Sequence, residues 1–284
     1  MAEALKRIGL EPLLYSRDLF AQKPEECCHP DNFDHLLYTY IESGIPVLAV
    51  FRNHVVVLFG HMSDYSGVDD LDPVGGCPFV FSSKYNTAYI GNDDNGIPYQ
   101  ILNKSLSKPP SSLFMPYSIE DVEQFVVPLP ERVSLPAESF EILVKSILQR
   151  EDVGYKKLSP TIASSTPILR LFLTSGRSFK KLLKERGMGS TLVEQIYRNL
   201  PLPHFIWVCE ISHSTLYPER VLGEIMWDAT RNAYELDGWI ALHYPERLIV
   251  DRGSALNGPP ELLSFALKGG SEYPIYRSNL EKIK

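Results

Sequence analysis

Apolar positions along the chain recur in two periods, and the switches between them mark out its elements. From Asp31 to Ser43 they fall at Phe33, Leu36, Leu37, Tyr40 and Ile41, the three- and four-residue spacing of one helical face. Asp31 or Asn32 can accept the free amides at the helix start. Gly44 supplies a left-handed C-terminal residue and Pro46 blocks continuation. Val47–Phe51 and Val55–Phe59 are then unbroken apolar runs around Arg52–Asn53, which predicts two strands joined by a tight reversal and covered on both faces. Thr87–Ile90 predicts a third strand that leaves through the turn-forming Asn92–Gly96. A short helical pattern, Ala2–Ile8, ends at Gly9 ahead of all of these.

Between the periodic segments lie three loops: Lys23–Asn32, the long Ser63–Ser83 with its acidic run Asp69–Asp72, and the Pro/Ser-rich Lys104–Pro116. The last reads as a linker and divides the chain into domains 1–115 and 116–284. The second half opens on an extended piece, Phe125–Val133. Pro136–Arg150 follows as a helix with the stripe Phe140, Leu143, Val144, Ile147 and Leu148. Thr166–Leu173, Phe179–Arg186 and Thr191–Leu200 read as further helices. His204–Ser212 and Val221–Thr230 read as paired strands, joined by Trp239–His243 and Leu248–Val250. The fold class is α+β: a helix packed on an antiparallel sheet, then a helical segment and a small antiparallel sheet.

Composition narrows the function classes. A formal charge of −7 over 284 residues argues against a nucleic-acid binder or an anionic-membrane binder, both of which need a basic footprint. No apolar run reaches the ~20 residues of a membrane span, and the N-terminus lacks the apolar core of a signal peptide. Four cysteines without regular spacing fit a reducing compartment, with the cytoplasm as the default. No cofactor fingerprint is present, so no cofactor is expected. A peptide or protein partner remains open.

Candidate chemistry concentrates at His54 and Asp93. If the second and third strands are antiparallel neighbours, the start of one lies beside the end of the other, and His54 meets Asp93 or its fallback Asp94 at one sheet edge. A carboxylate there can fix the imidazole tautomer while the other ring nitrogen faces a nucleophile. Cys27 and Cys28, with His29 and His35, invite a metal reading, but adjacent cysteines cannot easily ligate one ion; they read better as loop thiols. In the second half Glu210, Glu224 and Asp228 form a carboxylate cluster on the predicted hairpin. It is either an acid/base or cation site or, more simply, a solvated hairpin face opposite Trp207, Cys209 and Trp227. Ser175–Lys181 opens a helix with three cations but lacks P-loop spacing and reads as a solvated basic face.

A helix, a Ser-Gly-x-Pro-Val strand at Ser43–Val47, a His-Val-Val-Val strand at His54–Val57 that reaches Gly60, and a Tyr-Ile…Asp…Gly turn at Tyr89–Gly96 together resemble the papain-like cysteine peptidases. The branch most resembled is that of the bacteriocin-processing, double-glycine leader peptidases. The whole chain is similar to a group of bacterial proteins carrying such a domain. The resemblance covers roughly residues 2–99 and implies a papain-like half-domain with His54 as base and Asp93 as orienter. The same pattern places its cysteine on a helix upstream of Ala2–Leu10, so Cys27 and Cys28 occupy the wrong slot and serve only as fallback nucleophiles. The resulting expectation is a non-catalytic or N-terminally shortened form. The alternatives are an active cysteine peptidase and a carboxylate-based hydrolase in the second half.

Overall fold

Phe33–Glu42 is buried on every side, which sets how the first part of the chain must fold around it. The computed structural model describes residues 2–21, 32–68, 78–105, 112–188, 190–232, 238–251, 261–268 and 272–277. The chain divides into two compact units, one of Met1–Ser66, Val74–Gly76 and Ser83–Glu131, the other of Gly67–Pro73, Cys77–Ser82 and Arg132–Lys284. Both are mixed α and β, so the α+β class holds.

In the first unit α1 (Ala2–Arg7), β1 (Leu10–Ser16) and α2 (Arg17–Ala21) lead to α3 (Asn32–Glu42). Gly44, at φ +73°, ends α3 as its sequence requires. The amides of Gly44 and Ile45 return to the carbonyls of Ile41 and Tyr40. Strands β2 (Val47–Phe51) and β3 (His54–Ser63) follow. β4 (Val80–Phe81) pairs within the second unit, and β5 (Asn86–Asn92), β6 (Gln100–Asn103), β7 (Phe114–Ser118) and β8 (Gln124–Pro130) complete the first. The seven-stranded sheet has the order β1-β8-β2-β3-β5-β6-β7, with only β6 and β7 parallel. α3 seals it through aromatic contacts. Phe33 meets Phe125 edge-on at 4.8 Å, and the Tyr15 and Tyr40 hydroxyls lie 2.7 Å apart. The extended piece read as opening the second half is thus β8, held between β1 and β2. Its extended character was legible, but not which sheet would take it.

The second unit contains α4 (Ala137–Gln149), α5 (Tyr155–Leu158), α6 (Pro160–Ala163), β9 (Ile168–Ser175), α7 (Gly176–Arg186), α8 (Thr191–Asn199), β10 (Phe205–Ser212), β11 (Arg220–Val221), β12 (Gly223–Asp228), β13 (Trp239–Tyr244), β14 (Arg247–Asp251), β15 (Leu262–Ala266) and β16 (Tyr273–Pro274). Its sheet runs β15-β14-β13-β12-β10-β9-β4, with β11 and β16 pairing apart from it. The segment read as a helix at Thr166–Leu173 is the strand β9. Ile168–Thr174 is buried at every position, and a short apolar run, broken here only by Arg170, does not distinguish a strand covered on both faces from a core helix. Trp207 stacks on Phe140 of α4 on one face. On the other, Ile206, Val208 and Met226 share a core with Phe179, Leu183, Val193 and Tyr197 of α7 and α8. Among the described residues no helix is long and apolar enough to cross a membrane.

Candidate functional site

The reversal at Arg52–Asn53 makes His54 the first residue of β3, opposite Phe51. β5 runs antiparallel beside β3 with Val57 opposite Asn92, so the chain leaving β5 turns past the start of β3. His54 Nε2 lies 2.8 Å from Asp93 Oδ1 and 3.8 Å from Asp94 Oδ1. Asp93 Oδ1 also accepts the Asn95 amide at 2.8 Å, an Asx turn that fixes the carboxylate. Burial pushes the Asp93 carboxyl up, but the hydrogen bonds from Asn95 and His54 and the charge of His54 outweigh it, and the group sits below its usual value. Asp93 is buried, whereas Asp94 is largely exposed.

The pair borders an open cleft of 720 Å³ lined by Phe51, Arg52, His54, Asn95, Tyr117 and the acidic trio Glu120, Asp121 and Glu123. Phe51 and Tyr117 stack at 4.6 Å and give it an aromatic wall, with the His54 ring 6.0 Å from Tyr117. Donation of Nε2–H to Asp93 leaves the lone pair on Nδ1, so the ring can accept a proton or a hydrogen bond there. His54, Asp93 and Asp94 also place three ligand atoms within 4.8 Å of one another. That nitrogen and oxygen set suits a divalent ion such as zinc, which would compete with the proton on Nε2.

Gly91 sets this geometry. A Cβ there would stand 2.6 Å from the Val57 carbonyl oxygen and 2.7 Å from Leu58 Cδ2. Gly91→Ala is expected to force β5 away from β3 and to cost about 1–3 kcal/mol in stability. Chemical denaturation followed by tyrosine fluorescence measures it; an unchanged midpoint would refute the contact argument.

Of the four cysteines, Cys209 is among the described residues. Cys27 and Cys28 lie outside the described residues, as do His29 and Cys77. Cys209 is on β10 in the second unit, fully buried. Burial and then the Glu210 charge push its thiol well above the ordinary value, which makes it a poor nucleophile.

The second-half carboxylates are not on a solvated face. Glu210 and Glu224 stand opposite each other on β10 and β12, with Arg170 opposite Glu210 on β9 and His243 opposite Glu224 on β13. Arg170 Nη1 donates to Glu210 Oε2 at 2.6 Å. Arg186 bridges Glu210 Oε1 at 2.8 Å and Glu224 Oε2 at 3.2 Å. Both carboxylates are at most 1 % exposed, because α7 folds over that face and brings Arg186 with it. Asp228 stands apart and binds the amide and hydroxyl of Thr230. The network is a closed core feature rather than a surface that meets a substrate. The basic stretch at Ser175–Lys181 starts α7, with the Ser175 hydroxyl accepting the Ser178 amide.

Sequence reasoning passed over a second imidazole. His61 hydrogen-bonds Glu42 through Nε2 and Ser63 through Nδ1. The only local signal was a histidine and a serine two apart on one strand face. No protein-family model, curated protein or solved structure matches the chain.

Proposed function

We propose that the first unit is a papain-like module that binds a basic peptide segment in the cleft beside His54, without a catalytic thiol of its own. The observation that carries this reading is the His54–Asp93 pair, 2.8 Å apart at the edge of a cleft lined by Glu120, Asp121 and Glu123 against the single cation Arg52 among its lining residues. An Asp-backed imidazole accepts a donor on Nδ1, the carboxylates attract lysine and arginine, and the Phe51–Tyr117 wall offers rings to their cationic ends.

The test is fluorescence anisotropy with a labelled lysine- and arginine-rich nonapeptide. Binding is expected to weaken with salt and to fall about tenfold, ~1.4 kcal/mol, in His54→Ala and in Glu120→Gln/Glu123→Gln. Binding indifferent to both changes rules the reading out. The His–Asp geometry also favours a second reading, an active cysteine peptidase with His54 as base, Asp93 (or Asp94) as orienter and a thiol drawn from Cys27 or Cys28. Cleavage of the same peptide, abolished by His54→Ala and by iodoacetamide, would establish that reading instead.

A further inference from the structure

At the far end of β3 from His54, a hydroxyl, an imidazole and a carboxylate stand in line. We propose that Ser63, His61 and Glu42 form an acyl-transfer site, with Ser63 as nucleophile, His61 as general base and Glu42 as the residue that orients it, acting on carboxylic esters. His61 and Ser63 are two apart on β3 and so share a face, with Ser63 Oγ 3.2 Å from His61 Nδ1. Glu42, the last residue of α3 and 2 % exposed, takes the other ring nitrogen.

The carboxylate accepts Nε2–H, so the neutral ring keeps its lone pair on Nδ1, facing the Ser63 hydroxyl. When His61 takes the proton, the Glu42 carboxylate at the end of α3 keeps the ring in place. Tyr38 packs against the ring, centroids 4.7 Å apart, and limits its rotation. Ser63 closes β3 half-buried, between the exposed Met62 and Asp64, so its hydroxyl is at the rim of the sheet and not in the core.

A buried Glu–His pair alone would account for a tie between α3 and the sheet. Two observations go beyond a tie. The second ring nitrogen is given to a hydroxyl at the rim. In addition, Asn86, directly opposite Ser63 in the β3–β5 ladder, is 2 % exposed with both carboxamide atoms unpaired among the described residues. An unpaired buried amide costs ~1–3 kcal/mol and marks a position worth explaining by function. Its carboxamide is a buried polar group without a partner among the described residues, beside the Ser63 end of the strand pair.

In the first step the Ser63 Oγ–H proton passes to His61 Nδ1 as Oγ bonds to the ester carbonyl carbon. The C–O bond to the alcohol then breaks, and His61 returns the proton to the departing alkoxide. Water, deprotonated by the same ring, cleaves the acyl-serine and releases the carboxylic acid, with Ser63 restored.

The test combines p-nitrophenyl acetate hydrolysis with a fluorophosphonate probe mapped by peptide mass spectrometry. Phosphonylation is expected at Ser63. Ser63→Ala should abolish it together with ester turnover, and His61→Gln should slow both by at least about 100-fold. Glu42→Gln should lower kcat while leaving KM unchanged, a split that mere packing would not produce. Iodoacetamide treatment should leave all of this unchanged, which separates the site from any thiol-dependent hydrolysis. Full ester turnover in Ser63→Ala, or Ser63 labelling at the wild-type rate in a folded His61→Gln, overturns the proposal. If His61→Gln does not fold, Ser63→Ala decides alone.

Discussion

Above pH 7, where Glu224 is ionised, Arg186→Met is expected to destabilise the second unit by about 3–5 kcal/mol, the cost of leaving a buried carboxylate without its cation. Arg186 Nη2 and Nη1 reach Glu210 and Glu224, Nε donates to the Pro274 carbonyl at 3.3 Å, and the guanidinium sits over the Tyr273 ring at 5.0 Å. Methionine fills much of the volume but supplies no charge. Arg170 still holds Glu210, so Glu224 is the group left exposed to the low-dielectric core, and it must take up a proton or open the structure. Adding Glu224→Gln to Arg186→Met should therefore recover part of the loss, and a double-mutant cycle should show the coupling. The chain has three tryptophans, and Trp207, Trp227 and Trp239 all belong to this unit, so tryptophan fluorescence in urea reports its unfolding alone. A loss below about 1 kcal/mol would mean the core reorganises around the missing charge and the network is not what holds α7 down.

The second large effect is a pair of opposite pH slopes that cancel in the parent protein. Burial pushes the Glu224 carboxyl up from 4.5 to about 7, even against the attraction of Arg186. Burial, then the Arg186 charge, pushes His243 down from 6.5 to about 3. Glu224 holds a proton in the folded state that it has lost in the unfolded state between 4.5 and 7. Its contribution is full below 4.5 and is lost as pH rises through 7. His243 does the reverse: between 3 and 6.5 the unfolded ring is protonated and the folded ring is not, so stability is lost as pH falls through that window. Where the windows overlap the proton counts match, and stability is expected to be nearly flat with pH. Glu224→Gln should expose the histidine slope, with stability falling on acidification. His243→Gln should expose the carboxyl slope, with stability falling as pH rises from 4.5 to 7. The carboxyl slope is expected to total on the order of 3 kcal/mol across its window and the histidine slope on the order of 5 kcal/mol. Urea midpoints at half-unit pH intervals would show it, and parallel profiles for the two variants would refute the assignment.

Much of the first unit was legible locally. Gly44 and Pro46 marked the end of α3, the valine-rich runs marked β2 and β3, and antiparallel neighbours were enough to bring His54 beside Asp93. What failed was pairing over distance and the choice between two periods in apolar runs. Arg17 donates to the carbonyls of Ile119 and Val122, a contact across roughly a hundred residues that no local pattern encodes. The same holds for β8, whose place between β1 and β2 is set by pairing with distant strands.

The sequence by itself determined the helix–strand–strand order of the first unit and the glycine stop of its helix, that the chain is α+β, and which histidine and aspartate share a sheet edge, while the second strand, read as Val55–Phe59, runs from His54 to Ser63. Side-chain period and terminal glycines are properties of adjacent residues, and adjacent residues are what a sequence lists. Only the tertiary structure decided that Glu210 and Glu224 are buried with Arg186 and not solvated, that Ile168–Ser175 is a strand, and that Glu42 reaches His61 and Ser63. Each depends on which element covers a given face. That choice is made by the burial of whole apolar faces against one another, after which charged residues must find partners among whatever groups the packing has brought near.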